Sequence, residues 1–388
     1  MAATLQTGDR RRRDELVLRV QHMDDPAAVF AEASARLRRL VPFDLSGWMA
    51  TDPGTGLPVA PTLFDGPMYS SDDYCIDYWR QEFCVGDVNL FRDIARAPTP
   101  AASLRAAVDD PRRSARYRNV LQPLGVDDEL RLVLRVGESQ WGAVSLWRRP
   151  GQPPFTEREI MLVASLSEPL GETLRLRARP ADTITEHPLQ DQPGLLLFDP
   201  SGALISANDQ AKWWLDELHP CRLTRATDLG VTIPLWLMGV VFHASAVALG
   251  TGNGTARARV RTRRGQWLVC HASCMRDAGG SVTAIATVIE PAKRAEIAPV
   301  LVEAYDLSLR EQEITGLIVR GAGTADIADE LSLSVHTVRD YIKAIFGKVN
   351  VSSRGELVGR LFAEHYLPMH TRELAHIDES VKGTTYLT

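Results

Sequence analysis

This chain of 388 residues predicts a multidomain fold, two α+β units followed by an all-α unit of four short helices. Three observations carry that expectation. The length exceeds what one ordinary hydrophobic core supports. Residues 25–291 mix helical stripes with turn-bounded, alternating runs that come in pairs. From Leu307 to Phe362 the apolar residues instead recur only at three- and four-residue steps, broken by helix-start signals.

The elements follow in order. Asp25-Pro26 opens a helix whose Val29, Phe30, Ala33, Leu37 and Leu40 share an inner side, with Arg36, Arg38 and Arg39 pointing mainly outward. Ahead of it, residues 1–24 contain Arg10 to Arg13 but no apolar run of signal-peptide type, so a solvated tail or a helix start is expected. Strand-like runs at 46–51 and 57–63 flank the turn Asp52-Pro53-Gly54-Thr55-Gly56 and predict a hairpin. A second hairpin, 129–136 with 141–147, alternates apolar and polar residues around Gly137-Glu138-Ser139. Thr156 and Glu159 have capping-box spacing and start one long helix through Ile160, Val163, Leu166, Leu170 and Leu174. Trp48, Tyr69, Tyr74, Tyr78, Trp79, Phe83 and Phe91 supply aromatic surface, as core by default or as the wall of a ligand pocket.

Residues 179–194 are rich in Pro and polar residues and read as a linker. Beyond it, Leu195 to Phe198, the turn Asp199-Pro200-Ser201-Gly202, and Leu204 to Ser206 form a hairpin. Asn208 can cap a helix with Ala211, Trp214, Leu215 and Leu218, and strands near 256–263, 267–275 and 282–290 complete a sheet. No charged residue stands between Asp228 and Arg257. Its apolar part, Pro234 to Gly250, is short for a bilayer, holds His243 and Ser245 and has Gly-rich flanks, which predicts a buried helix.

Composition limits the function. A net charge of −5 gives no global attraction to nucleic acid, so any DNA affinity must be local. The 39 Arg against 5 Lys is a compositional skew and not a DNA-binding signal. Five cysteines (Cys75, Cys84, Cys221, Cys270, Cys274) without a CxxC predict reduced thiols in a cytoplasm. Cys270 and Cys274 fall on one side of a strand with His271 opposite, so they form no convergent metal set, and neither metal nor cofactor is expected. No nucleophile with its base, metal set or phosphate loop has recognisable spacing, and the chain is not expected to be an enzyme. The acidic pairs Asp24-Asp25, Asp72-Asp73 and Asp127-Asp128 do not follow apolar strands as a phosphoacceptor domain requires.

The carboxyl-terminal helices carry a helix-turn-helix. Ser308 and Glu311 form a capping box, and Leu309, Ile314, Leu317 and Ile318 follow until Gly321. Thr324 can cap a second helix with Ile327, Ala328 and Leu331. After the turn Ser332-Leu333-Ser334, Ser334 caps a third helix from Val335, and Ser353 with Glu356 starts a fourth. The third helix divides into Val338, Ile342, Ile345 and Val349 on one side and His336, Arg339, Asp340 and Lys343 on the other. That polar side suits a major groove, where Arg can bridge guanine acceptors and a carboxylate can accept from cytosine. Asp340 is expected over base edges or paired with Arg339. Residues 306–366 hold seven Arg and Lys against nine Asp and Glu, yet from His336 to Arg360 five cations face only Asp340 and Glu356. On the fourth helix Leu357, Val358, Leu361 and Phe362 form an apolar stripe, suited to dimerisation or to packing on the chain's own residues 298–305.

Ser308-Leu309-Arg310-Glu311-Gln312-Glu313-Ile314, Thr324-Ala325-Asp326-Ile327-Ala328-Asp329-Glu330-Leu331, Ser334-Val335-His336-Thr337-Val338-Arg339 and Lys348-Val349-Asn350-Val351-Ser352-Ser353-Arg354 together resemble the LuxR-type (NarL/FixJ-like) DNA-binding domain. The resemblance implies base contacts from Arg339, Asp340 and Lys343 and phosphate contacts from Thr324, Thr337 and Arg354. With Ser334 and His336 these complete the expected DNA-facing set, and Tyr341 departs from the family's usual His. Trp141 to Trp147 followed by Phe155-Thr156-Glu157-Arg158-Glu159 resembles the end of GAF domains, and the opening from Leu195 resembles a PAS domain. The order GAF-like, PAS-like, LuxR-type is similar to a group of cytoplasmic bacterial regulators, and the join from Val288-Ile289-Glu290-Pro291 to Val302-Glu303-Ala304-Tyr305 resembles theirs.

The expected boundaries are therefore 1–24 tail or helix start, 25–178 GAF-like, 179–194 linker, 195–291 PAS-like, 292–305 linker helix, 306–366 helix-turn-helix and 367–388 polar tail. The resemblance implies a sequence-specific transcription regulator, dimeric through the last helix, the sensor domains or both, and controlled by a small-molecule or protein signal. Its implied partners are promoter or operator duplex DNA, a second copy and RNA polymerase, with no membrane. The rival class is an interaction adaptor whose sensor domains bind a protein and whose last domain does not bind DNA.

Overall fold

The computed structural model describes residues 6–66, 72–178, 192–219, 221, 224–293, 296–297, 300, 303–305 and 307–362, with backbone only at 72–75, 224–226 and 362. Tyr69, the side chains of Tyr74 and Cys75, the linker 179–191 and the tail 367–388 lie outside these described residues.

Local chemistry sets the first elements where the sequence places them. The Asp25 carboxylate accepts from the Ala27 N–H at 3.0 Å, and Pro26 begins α2 (Pro26–Leu40). Before it, the segment expected as a tail or helix start is a helix, α1 (Thr7–Val20). Its Leu16 and Val20 are buried, and Asp9 pairs with Arg158 at 2.8 Å. The strands β1 (Leu45–Thr51), β2 (Pro58–Asp65), β3 (Ala101–Ser103), β4 (Asp128–Val136) and β5 (Ser139–Arg148) form an antiparallel sheet in the order β2-β1-β5-β4-β3. Trp48 of β1 lies with its ring centroid 5.9 Å from that of Phe30 on α2. The helices α3 (Asp72–Cys84), α4 (Phe91–Arg96) and α5 (Leu104–Ala107) lie between the two hairpins in sequence.

One element departs from expectation. Thr156 and Glu159 do form the capping box, but the single long helix is two, α6 (Glu157–Ala164) and α7 (Ser167–Arg177). Pro169 in the first turn of α7 has no N–H for the Ser165 carbonyl and its ring would clash there, so the helix ends and restarts.

The second sheet repeats the first. It contains β6 (Gly194–Phe198), β7 (Leu204–Ala207), β10 (Arg257–Arg261), β11 (Trp267–Arg276) and β12 (Val282–Pro291), ordered β10-β11-β12-β6-β7. Read from its other edge, this is the order of the first sheet: second strand, first, fifth, fourth, third. Asn208 caps α8 (Asp209–Glu217) through the Ala211 N–H at 2.9 Å. A short pair, β8 (Thr224–Ala226) with β9 (Thr232–Pro234), leads into α9 (Leu235–Ala248), the helix of the charge-free segment.

Helix α9 is buried from Leu235 through Phe242 without a break, so it has no solvent side. It packs on β11 of its own sheet and also on β2 and α3 of the first. The two sheets share one hydrophobic core and form one compact unit, residues 1–177 with 192–292. Polar bonds cross the same seam. Asp52, 1% exposed, accepts from the Arg259 backbone N–H at 2.8 Å and from its guanidinium at 2.9 Å. Among the described residues no helix is long and apolar enough to cross a membrane.

A second compact unit, from Lys293 onward, holds α10 (Leu309–Val319), α11 (Thr324–Glu330), α12 (Val335–Val349) and α13 (Arg354–Phe362). Ile314, Leu317, Ile327, Val338, Ile345, Val349, Leu357 and Leu361 are buried in it.

At Gly239 the backbone of α9 approaches β2 so closely that a Cβ would stand 2.4 Å from Pro58 Cγ. Gly→Ala in a helix interior ordinarily stabilises by about 1 kcal/mol. Gly239→Ala is expected to do the opposite and cost about 1–3 kcal/mol by overpacking, read as a lower urea midpoint of the sheet unit.

Candidate nucleic-acid interface

Each helix of the carboxyl-terminal unit is fixed at its ends by bonds the sequence allows. At α10 the Ser308 hydroxyl accepts from the Glu311 N–H at 3.3 Å and the Glu311 carboxylate accepts from the Ser308 N–H at 2.6 Å. The same carboxylate oxygen accepts from Lys348 Nζ of α12 at 2.7 Å. Burial pushes the Glu311 carboxyl up, but the bonds from Lys348 and Ser308 outweigh it and hold the group below its usual range.

Thr324 does not cap α11. The cap residue is Gly323, whose N–H donates to the Asp326 carboxylate at 2.9 Å, and Thr324 is the first helical residue. Its hydroxyl accepts instead from Arg354 Nη2 at 2.8 Å, while Arg354 Nη1 donates to the Ala322 carbonyl at 2.7 Å. The two residues expected at phosphates thus hold each other across the unit. The turn after α11 closes with the Leu333 N–H on the Ala328 carbonyl at 2.8 Å, which puts Ser332 in the left-handed region at φ 52°.

Ser334 caps α12 as expected, accepting from the Thr337 N–H at 3.0 Å, with the two hydroxyls 2.8 Å apart. Asn350, left-handed at φ 57°, ends the helix. Val338, Ile345 and Val349 face the core, and Ile342 is half-buried. His336, Arg339, Asp340 and Lys343 are all exposed on the opposite side. Asp340 pairs with His336 Nδ1 at 3.0 Å one turn away, and not with Arg339. Among the described residues Arg339 and Lys343 form no ion pair, so both are available to an external acceptor. Tyr341 is half-buried.

The fourth helix requires a correction. Leu357 and Leu361, expected on a dimer surface, are 0% and 3% exposed within the single chain. A unit this small uses them as core. Val358 is half-buried, and the Phe362 side chain lies outside the described residues. The capping at this helix is also shared: the Glu356 N–H donates to Ser353 Oγ at 3.1 Å, but its carboxylate takes the Ser352 N–H at 2.7 Å.

Residues 306–361 match the family model described as bacterial regulatory proteins, luxR family. The chain carries a LuxR-family helix-turn-helix domain. Over 58 residues it is 43% identical to the transcriptional regulatory protein DesR of Bacillus subtilis (strain 168), which is 15% of this chain and 29% of that protein. Over 54 residues it is 41% identical to the monoamine regulon transcriptional regulator of Klebsiella aerogenes, 14% of this chain and 24% of that one. The chain therefore spans less than a third of either relative. Among solved structures, SdiA in complex with octanoyl-rac-glycerol aligns over 94% of this chain and 98% of its own, at 13% identity and a TM-score of 0.36. The TePixJ GAF domain, from a cyanobacteriochrome, aligns over 41% of this chain and 94% of its own, at 14% identity and a TM-score of 0.30.

The sheet unit holds a polar site that the sequence reading missed. Arg131 donates to Glu82 at 2.5 Å and to Tyr78 Oη at 3.1 Å, and Glu129 accepts from Arg116 at 2.8 Å and from Trp147 Nε1 at 3.1 Å. Burial and the neighbouring Glu129 and Glu82 outweigh the Arg131 charge and push the Tyr78 hydroxyl up to about 12. Among the described residues no group of three His, Cys, Asp or Glu could hold a metal ion. Cys84, Cys270 and Cys274 are free thiols, and burial raises that of Cys84 to about 11.

Two outcomes follow for the helical unit. Ser332→Gly relieves a left-handed side chain and is expected to stabilise the unit by up to about 1 kcal/mol, seen as slower amide exchange in α11 and α12. Because the folded Glu311 carboxyl lies below its ordinary value of 4.5, its link to Lys348 contributes fully above that pH and is lost as pH falls through the folded value. Glu311→Gln should therefore weaken amide-exchange protection of α10 at pH 7 and lose most of that effect in acid.

Proposed function

We propose that the chain is a sequence-specific transcription regulator that reads the major groove with the outward side of α12. The observation that carries this is the division of that helix. Its inner side is locked by Val338, Ile345 and Val349, while Arg339 and Lys343 stand exposed and form no ion pair among the described residues. An α-helix presented this way fits the groove, where Arg and Lys meet guanine acceptors and a carboxylate such as Asp340 meets the cytosine amino group. Thr337 and Ser334 at its start, and Thr324 with Arg354 beside it, would then lie along the phosphates.

We read the first sheet with its helices as GAF-like and the second as PAS-like, a reading supported by their common strand order. Together they form the sensor of a cytoplasmic regulator, in agreement with the free thiols of Cys84, Cys270 and Cys274 among the described residues. Two copies pair through the sheet unit, or through the outer side of α13 around Val358, and present two α12 helices to half-sites about one DNA turn apart. A signal acts by favouring one paired arrangement over another.

In a gel-shift assay with genomic fragments, Arg339→Ala and Lys343→Ala are each expected to weaken specific binding by roughly 1–3 kcal/mol. If both variants bind as the parent does, α12 is not the reading element. A parent chain with no preference among sequences at any salt concentration would instead favour the adaptor class.

A further inference from the structure

We propose that the cavity between the first sheet and the end of α9 is a binding site for a small aromatic carboxylate of one or two rings. The cavity measures about 230 Å³ and lies wholly within the sheet unit. Residues of both sheet regions line it: the β1–β2 turn, α3 and α4 on one side, His243 and Asn253 on the other. That volume is below the roughly 300–1,000 Å³ usual for drug-sized ligands and suits a guest of one or two rings.

Its inner wall is aromatic. Trp79 and Phe83 stack with centroids 5.7 Å apart and planes at 21°, and the Phe83 ring meets His243 edge-on at 5.3 Å. With Phe91 they offer ring faces and edges to a planar guest. Among the described residues the Trp79 indole N–H and His243 Nδ1 are themselves buried and have no hydrogen-bond partner, so what this wall offers a guest is ring surface. Burial holds the His243 imidazole below its ordinary range, which leaves the inner wall uncharged there near neutral pH.

The charge sits at the rim. Arg92 and Arg96 line the cavity, and the nearest acid of Arg92 is Asp93, 4.0 Å away. Arg96 forms no ion pair among the described residues. Glu82, the buried acid of the wall, is already taken by Arg131 and by the Phe91 N–H at 2.7 Å. Glu138 is then the rim's remaining carboxylate against two guanidiniums. A ring held by Trp79, Phe83 and Phe91 with a carboxylate toward Arg92 and Arg96 matches this division of apolar and positive surface.

This inference goes beyond the regulator reading, and its test contains no DNA. The full chain is titrated calorimetrically with 4-hydroxybenzoate and indole-3-acetate, then with their neutral amides and with hexanoate. At least one aromatic carboxylate should bind saturably, with its amide and hexanoate roughly tenfold weaker or more. The double variant Arg92→Gln, Arg96→Gln should lose about the same factor. Ala95→Phe, which fills the cavity from half-buried α4, should abolish binding while circular dichroism confirms the parent fold. Absence of saturable binding by both carboxylates overturns the proposal. So does equal affinity for acid and amide, or a folded Ala95→Phe chain that binds like the parent.

Discussion

A helix with no polar side must be enclosed, and that constraint organises the amino-terminal three quarters of this protein. Fully burying one large apolar side chain is worth about 1.5–3 kcal/mol. Helix α9 presents Leu235, Trp236, Leu237, Met238, Val240, Val241 and Phe242 in near succession, all buried. Its own sheet can cover only one flank. The other is covered by β2 and α3, which is why two sheets of the same topology share a core where each might have stood alone. Gly239 marks the closest approach, and Asp52 with Arg259 shows the cost being met at its edge. A carboxylate 1% exposed is tolerable because a backbone N–H and a guanidinium both reach it.

The buried ion network in the first sheet obeys the same rule at greater stake. Arg116, Glu129, Arg131 and Glu82 are at most 3% exposed, and the two positive and two negative groups balance. Removing one partner of such a pair typically costs about 3–5 kcal/mol, because the other charge is left uncompensated. Tyr78, Trp147, the Phe91 N–H and the carbonyls of Val88 and Asn89 take up further hydrogen-bonding capacity. The network therefore ties α3 and the segment before α4 to β4, and α3 also lines the aromatic cavity.

What was legible in the sequence follows from these facts. Hairpins, caps and the charge-free helix are local, and Asp25, Thr156, Asn208, Ser308 and Ser334 all act where their spacing places them. The period of two in β4 was legible too, but its meaning was not. Glu129 and Arg131 alternate with apolar neighbours as a solvent face would, yet β4 is covered on both sides and their partners lie up to 49 residues away. Pro169 was the visible sign of the break between α6 and α7. Thr324 failed as a cap for a reason sequence cannot supply: its hydroxyl is claimed by Arg354, 30 residues on, while Gly323 and Asp326 close the helix start. Likewise the stripe Leu357 and Leu361 was correctly apolar, but periodicity alone does not distinguish an intramolecular core from a partner's surface.

The pairing pattern around α12 bears on why one copy would be a poor DNA reader. Of the five cations between His336 and Arg360, Lys348 is bonded to Glu311, Arg354 to Ala322 and Thr324, and Arg360 has a partner of its own. Arg339 and Lys343 remain, together with the charge of Arg354, whose partners are neutral. Three phosphate-neutralising or base-directed cations release few counterions, giving a salt dependence with a slope of only about −3 if all meet the backbone. The nine acidic residues of the domain work against even that. On the proposed reading, non-specific affinity is low and specificity comes from a second α12 at a matching half-site, which doubles the base contacts. On this reading, the geometry that holds two copies together decides whether the domain finds DNA at all, and anything that alters that geometry alters transcription without touching α12.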